Sequence, residues 1–203
     1  MVATKDIYYQ REMNFCRRCG TALNRTSGGF WVCDNQHSIF NNPLPTAGVF
    51  FLTSDRQHVV LSRRAINPGK GMVDCIGGFL EAGESIEDAT HREITEETGL
   101  TKEWYSPLTY FCSVPATYHF QDEDLPVLTS LFWAILHTDA QPKPGDDVAE
   151  IVTLPLDGIN PDIVFNDDIR KGFKKFLEEE VWTLTHQIIT NSPSLSRQSQ
   201  DYL

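Results

Sequence analysis

Two groups of side chains in this 203-residue sequence are spaced for chemistry. The first is acidic. In HREITEETGL, residues 91–100, Glu93, Glu96 and Glu97 stand at i, i+3 and i+4. On a helix that spacing gathers three carboxylates on one face, where each like-charge pair costs roughly 0.2–0.5 kcal/mol. They also fall near the C-terminal end of the predicted helix, where the helix dipole disfavours negative charge. Helix stability therefore does not explain them, and one adjacent arginine, Arg92, does not neutralise three acids. Clustered hard oxygen donors suit Mg²⁺ or Mn²⁺.

The second group is sulfur-rich. Cys16 and Cys19 are separated by two residues, and Cys33 and His37 by three, with thirteen residues between the pairs. A tight cysteine knuckle, a hairpin turning at SGG and a second ligand pair are the requirements of a tetrahedral Zn²⁺ ribbon. About thirty residues hold little core, so bound metal would supply the folding energy. Cys75 and Cys112 lie in apolar strand patterns and read as buried small hydrophobes.

The elements that must position these groups follow from pattern. The acidic helix is predicted over about 85–98, with Ser85 as N-cap, Asp88 in capping-box position and Gly99 as the stop. Before it, AGVFFLT and HVVLSRR flank a turn at SDRQ; after it, TYFCSVP, VLTSLFWAIL and EIVTLPL read as strands. A second helix is predicted from about Asn166 into the 180s, with Ile169, Phe173, Phe176 and Leu177 on one face. Strands interleaved with two helices indicate an α/β or α+β sandwich.

Composition narrows the function classes. A net charge of −11 disfavours a polyanion held on a broad basic surface, so no nucleic-acid partner is expected. The first fifteen residues lack the apolar core of a signal peptide, and no run of 18 apolar residues occurs, so no membrane partner and a cytoplasmic location are expected. Five cysteines in a reducing compartment point to metal or burial rather than disulfides.

The stretch GGFLEAGESIEDATHREITEETGL resembles the Nudix box: Gly, five residues, Glu, seven residues, then Arg-Glu-aliphatic-any-Glu-Glu-any-Gly-aliphatic. From Gly78 the sequence supplies Glu84, Arg92, Glu93, Ile94, Glu96, Glu97, Gly99 and Leu100 without departure. The resemblance implies a Nudix α/β/α sandwich that hydrolyses a nucleoside diphosphate linked to another moiety. It implies Glu93, Glu96 and Glu97 as Mg²⁺ or Mn²⁺ ligands, with the Gly77 carbonyl as a further one. Arg92, together with Glu84, would hold the glutamates in place. Either Glu93 or Glu96 would activate the attacking water; in some relatives the base lies outside the box, which brings in Asp122, Glu123 and Asp124.

LSRRAINPGKGMVDCIGG is similar to the segment leading into the box in ADP-ribose pyrophosphatases. It offers Arg63 and Arg64 to substrate phosphates, although strand alternation points one of them elsewhere. Pro115, fifteen positions after Leu100, is a second similarity, and Tyr118 or Phe120 is placed to stack on adenine. The Ser-Gln-Pro-Trp type of motif that accompanies NADH cleavage is absent. Residues 13–42 resemble the small zinc ribbon that precedes some Nudix domains, except that Gln36 stands where a fourth cysteine is expected. Either His37 closes a Cys₃His site, the expectation here, or the site is incomplete.

The expected organisation is a lead-in over 1–12, a zinc ribbon over 13–42 that serves structure or dimer formation, a Nudix domain over 43–190 and a mobile tail over 191–203. The expected activity is cleavage of ADP-ribose or a related nucleotide to AMP and a phosphorylated partner. An NADH- or FAD-type dinucleotide pyrophosphatase and a non-catalytic nucleotide sensor are the alternatives. A homodimer is compatible with the resemblance.

Overall fold

The computed structural model describes residues 14–120 and 123–178. The expected lead-in and tail, and Asp122, lie outside these residues.

The first three strands, β1 (Leu23–Arg25), β2 (Trp31–Cys33) and β3 (Ser38–Ile39), form a small antiparallel sheet in that order. Its core is Cys16, Trp31, Cys33 and Ile39, with Leu23 packed against them. So small an apolar cluster cannot offset the ordering of its own chain.

The larger sheet contains seven strands. They are β4 (Leu44–Leu52), β5 (His58–Arg64), β6 (Val73–Asp74), β7 (Ile76–Phe79), β8 (Thr109–Phe120), β9 (Glu123–Ile135) and β10 (Val148–Pro155). The main path runs β10-β5-β4-β9-β8, with β6 paired to β5 and β7 paired to β4. β4 and β9 are parallel and the other pairs antiparallel. Among the described residues two helices cover it, α1 (Ile86–Thr98) and α2 (Asp167–Glu178).

Alternation along β4 explains the layers. Phe50 and Leu52 face a core completed by Ile169, Phe173 and Phe176 of α2. Val49 and Phe51 face the opposite core, completed by Ile94 of α1 together with Leu100 and Tyr105. Neighbouring side chains of a strand point to opposite faces, so one apolar run fills both cores and fixes the sheet between the helices. This is the α/β/α sandwich expected from sequence.

The helix signals read as written. Ser85 Oγ accepts from Asp88 N–H at 3.1 Å and donates to Asp88 Oδ2 at 2.8 Å, and Gly99 closes α1 in the left-handed conformation. The β8–β9 hairpin is longer than the expected strands, with pairing from Thr109–Trp133 out to Phe120–Glu123. Pro115 sits within β8 opposite Leu128 rather than at a strand end. β8 is an edge strand, where a residue without an N–H can be accommodated. Cys75 and Cys112 are buried in the larger core.

Candidate active site

α1 brings its glutamates against β7 through an unusually close approach. A Cβ on Gly78 would lie 2.4 Å from Glu93 Oε1, and one on Gly77 would lie 2.2 Å from the Ala47 carbonyl oxygen. Only glycines let the helix carboxylates and β4 press onto this strand from both sides.

Arg92 holds the acidic face together. Its Nε and Nη2 donate to the two Glu84 carboxylate oxygens at 2.8 and 3.0 Å. Nη1 donates to Glu93 Oε1 at 2.8 Å and Glu96 Oε2 at 2.9 Å, and Nη2 also reaches the Phe79 carbonyl at 2.9 Å. A planar fork can serve five acceptors in this fixed geometry where an ammonium cannot.

Glu97 has a different setting. Its carboxylate is buried, it lies outside the Arg92 network, and the Gly77 N–H donates to Oε2 at 3.3 Å. Burial first, then the negative charges of Asp147 and Glu93, push its pKa up to about 9. Burial raises Glu93 as well, against the pull of Arg92. Glu96 is the exposed member, with 47 % of its side chain accessible.

Two acids that the sequence reading missed complete the group. Gly145 N–H donates to the Glu97 carbonyl and Lys143 N–H to the Thr98 carbonyl, each at 2.9 Å. The loop thereby docks on the C-terminal end of α1 and delivers Asp146 and Asp147. These line one polar cleft with Gly77, Gly78, Glu93 and Glu97. The signal was PKPGDD, a proline–glycine turn followed by two acids, but nothing local ties it to a helix some fifty residues earlier.

All donors in this cleft are oxygens, and the buried carboxylates crowd together short of countercharge. That set fits a hard divalent cation such as Mg²⁺ or Mn²⁺.

Beside the cleft, and sharing Gly77, Gly78, Phe79 and Asp147 with it, is a cavity of about 150 Å³. Alternation along β5 separates the two candidate arginines. Arg64 lines the cavity; Arg63 pairs with Glu150 at 2.8 Å on neighbouring β10 and donates to the Gly71 carbonyl. Arg64 is itself engaged, with Nη1 on Asp74 Oδ2 at 3.0 Å, Nε on the Pro68 carbonyl at 2.7 Å and its charge over the Phe165 ring. Asp74 is buried and also accepts from Asn166 Nδ2 at 2.7 Å and Cys75 N–H at 3.0 Å. Burial pushes it up to about 6, although Arg64 opposes the shift.

Tyr118 lines the cavity, edge-on to Phe79 at 5.6 Å, and Phe120 stacks on Tyr118 further along the hairpin. Asp124 is exposed and hydrogen-bonded to His119. Asp74, Asn166 and Asp168, all lining the cavity, were not singled out from sequence. Each stands alone among apolar neighbours or beside another acid and carries no local spacing signal.

At the other end of the chain, Cys16, Cys19, Cys33 and His37 converge, with their ligand atoms all within 4.8 Å of one another. Cys19 Sγ lies 3.7 Å from Cys33 Sγ, and Cys16 Sγ lies 3.6 Å from His37 Nδ1. Bond lengths of about 2.3 Å to sulfur and 2.0–2.1 Å to nitrogen give tetrahedral edges of about 3.8 and 3.6 Å. Hydrogen bonds from Thr21 and Asn35 pull the Cys19 thiol down to about 5, so it is a thiolate at neutral pH. The cluster fits Zn²⁺.

A family model described as a NUDIX domain matches residues 42–179. The chain belongs to the NUDIX family. A NAD-capped RNA hydrolase of Schizosaccharomyces pombe is 33% identical over 117 residues, which are 50% of this chain and 30% of that protein. An ADP-ribose pyrophosphatase of Methanocaldococcus jannaschii is 39% identical over 69 residues, 34% of this chain and 41% of that protein. The NUDIX chain thus spans less than half of either relative's length. A NUDIX hydrolase from Nitrosomonas europaea superposes with a TM-score of 0.59 at 23% identity, covering 83% of this chain and 93% of that one, and shows the shared fold. Among the described residues no helix is long and apolar enough to cross a membrane.

Proposed function

We propose that this NUDIX chain hydrolyses the pyrophosphate bond of a nucleoside diphosphate joined to a second moiety, with ADP-ribose as the leading substrate and AMP and a phosphorylated sugar as products. The observation that carries this reading is the cleft of buried, undercompensated carboxylates opening onto a cavity of one ring system's size.

Glu93, Glu96 and Glu97, with the Gly77 carbonyl, would hold Mg²⁺ or Mn²⁺, and Asp146 and Asp147 stand close enough to share the task. When bound, the cation would neutralise the pyrophosphate oxygens and acidify the attacking water. Arg92 fixes the carboxylates before substrate arrives, so little reorganisation remains at the moment of reaction. Water attacks one phosphorus, the bond from that phosphorus to the bridging oxygen breaks, and the bridging oxygen leaves on the other phosphate. The water's proton passes to a carboxylate. Glu96 is better placed for this than Glu93, because its exposure lets it return the proton to solvent. Tyr118 offers a ring face to the base. Arg64 offers charge to the substrate, whereas Arg63, turned towards Glu150, would act there only if that pair opened.

Cys16, Cys19, Cys33 and His37 would hold one structural Zn²⁺, which supplies the stability that the ribbon's core lacks. A small-molecule nucleotide is the expected partner, and a homodimer remains part of the proposal.

A dinucleotide substrate of the NAD type is the second reading, favoured by the similarity to the NAD-capped RNA hydrolase of Schizosaccharomyces pombe. That relative's name also places an RNA end within the family's reach. A net charge of −11 argues against a broad RNA-binding surface here, but not against a nucleotide cap. The deciding experiment is a screen with Mg²⁺ and with Mn²⁺ against ADP-ribose, NADH, FAD, dinucleoside polyphosphates and nucleoside triphosphates, with products separated chromatographically. ADP-ribose giving AMP faster than the others supports the leading reading; NADH as the best substrate overturns it in favour of the second.

A further inference from the structure

The cavity beside the cleft has chemistry that the pyrophosphate reaction does not use. At one end stands Asp168, in the first turn of α2 and only 8 % exposed. Among the described residues, Thr129 Oγ1 gives the only hydrogen bond to its carboxylate. Thr129 Oγ1 is in turn 2.6 Å from Thr46 Oγ1.

Proton counting fixes the direction of this chain. The Thr129 hydroxyl donates to Asp168 and has only one proton to give, so Thr46 donates to Thr129. The Thr46 oxygen and the second oxygen of Asp168 are left with lone pairs. Asn166 commits Nδ2 to Asp74 and keeps its carbonyl oxygen as an acceptor. Arg64, the cationic side chain of the lining, has Nε on Pro68 and Nη1 on Asp74. The Asp168 and Thr46 side of the cavity therefore offers acceptors and suits an occupant that brings N–H or O–H donors.

The walls narrow the choice. Phe79 and Tyr118 stand edge to face at the mouth, and Ala47, Val127 and Ile169 complete an apolar surround. Flat aromatic and aliphatic walls suit a planar ring better than a sugar with hydroxyls on every side. The volume of about 150 Å³ is below the usual range for a drug-sized ligand and admits one ring system.

We infer that this slot seats the nucleobase and that Asp168, positioned by Thr129, accepts a hydrogen bond from the base's exocyclic amino group. The inference rests on the nucleotide reading above and adds an orientation: amino edge towards α2, phosphates towards Arg92. Among purines the slot selects amino-bearing rings against rings lacking that donor.

The test compares 5′-AMP with purine riboside 5′-monophosphate, which has the same ring without the amine. Binding to the full chain is measured by calorimetry with Mg²⁺ present. AMP should bind at least about tenfold more tightly, because a site built to accept a hydrogen bond is left unpaired by the analogue. Asp168→Ala should bring the ratio close to one. Thr129→Val should lower it while Asp168 remains in place, and this second variant serves if the first does not fold. Equal affinities in the wild-type chain, no AMP binding, or a ratio unchanged in a folded Asp168→Ala or Thr129→Val chain would each overturn the inference.

ADP-ribose hydrolysis is assayed in parallel, together with its amine-free analogue. Amino selectivity without ADP-ribose cleavage sinks the substrate reading and leaves the slot. Cleavage of both compounds with the same KM sinks the slot and leaves the substrate reading.

Discussion

The Gly77 N–H donates to Glu97 Oε2 at 3.3 Å, a single long hydrogen bond to a carboxylate that is 5 % exposed. Arg92 spends its donors on Glu84, Glu93 and Glu96. The deepest acid of the cleft is thus the one left outside the arginine network, and a proton or a cation must take that place.

The sign of the pH dependence follows. Glu97 is raised to about 9 in the fold against 4.5 for the free side chain. Its favourable contribution is present below about 4.5 and is lost as pH rises towards 9, up to about 4 kcal/mol at pH 7.5. Without metal, Glu97→Gln should be the more stable chain at pH 8 and no more stable at pH 4, as read from denaturant midpoints in chelator. With Mg²⁺ the advantage should reverse, while pyrophosphatase activity is lost. Mg²⁺ binding should also release protons and tighten with rising pH, which calorimetry in buffers of different ionisation enthalpy measures.

Arg64 and Asp74 form the second buried pair, and it responds in the opposite sense when cut. In Arg64→Met, Asp74 is left buried without its cation, a change that costs about 3–5 kcal/mol at neutral pH. Asp74, already pushed up to about 6, should then take a proton more readily still. The deficit relative to wild type should be largest at high pH, shrink as pH falls towards about 6 and level off below that, where Asp74 is protonated in both chains. A deficit constant from pH 5 to pH 8 would show that packing alone, including the Phe165 contact, accounts for the loss.

Gly78→Ala separates positioning from folding. The added Cβ would meet Glu93 Oε1 at 2.4 Å, and that atom is the far end of a side chain able to yield. Stability should change by less than about 1 kcal/mol, because no core is disturbed. The turnover number should fall about 100-fold, since a displacement of about 1 Å in the carboxylate spoils the metal geometry. A thermal melt beside a kinetic assay checks both. Unimpaired turnover would show that Glu93 does not need its present position.

These features were unequally legible in the sequence. The Ser85 cap, the Arg92 network and the Gly99 stop are visible because helix geometry makes i+3 and i+4 neighbours of residues that are near in sequence. The Cys16–Cys19 knuckle is local in the same way. Asp146 and Asp147 are not, because what brings them to Glu97 is a pair of backbone hydrogen bonds from Lys143 and Gly145 to the end of α1. Asp74 and Asp168 meet across the sheet through the β5–β6 pairing and the packing of α2, and neither is announced by periodicity. The divergence of Arg63 from Arg64 was legible as alternation, but which one faces the cavity depends on register, a property of the assembled sheet.

The ribbon offers a prediction independent of the cleft. Its apolar cluster is four residues with Leu23 beside them, too little to fold alone, whereas its three sulfurs and imidazole converge within 4.8 Å, and the Cys19–Cys33 and Cys16–His37 separations match tetrahedral edges. The purified chain should carry one equivalent of zinc by elemental analysis. Cys33→Ala removes both a ligand and a buried core residue, so it should abolish zinc and expose the segment to proteolysis. His37→Cys should retain zinc, because thiolate substitutes for imidazole in a tetrahedral site, and His37→Ala should lose most of it. If His37→Ala binds zinc as tightly as wild type, the ring is a neighbour of the site and not its fourth ligand. The same variants assayed with Mg²⁺ and ADP-ribose show whether the ribbon supports the NUDIX domain or only adjoins it: a structural role predicts loss of thermal stability before any change in KM.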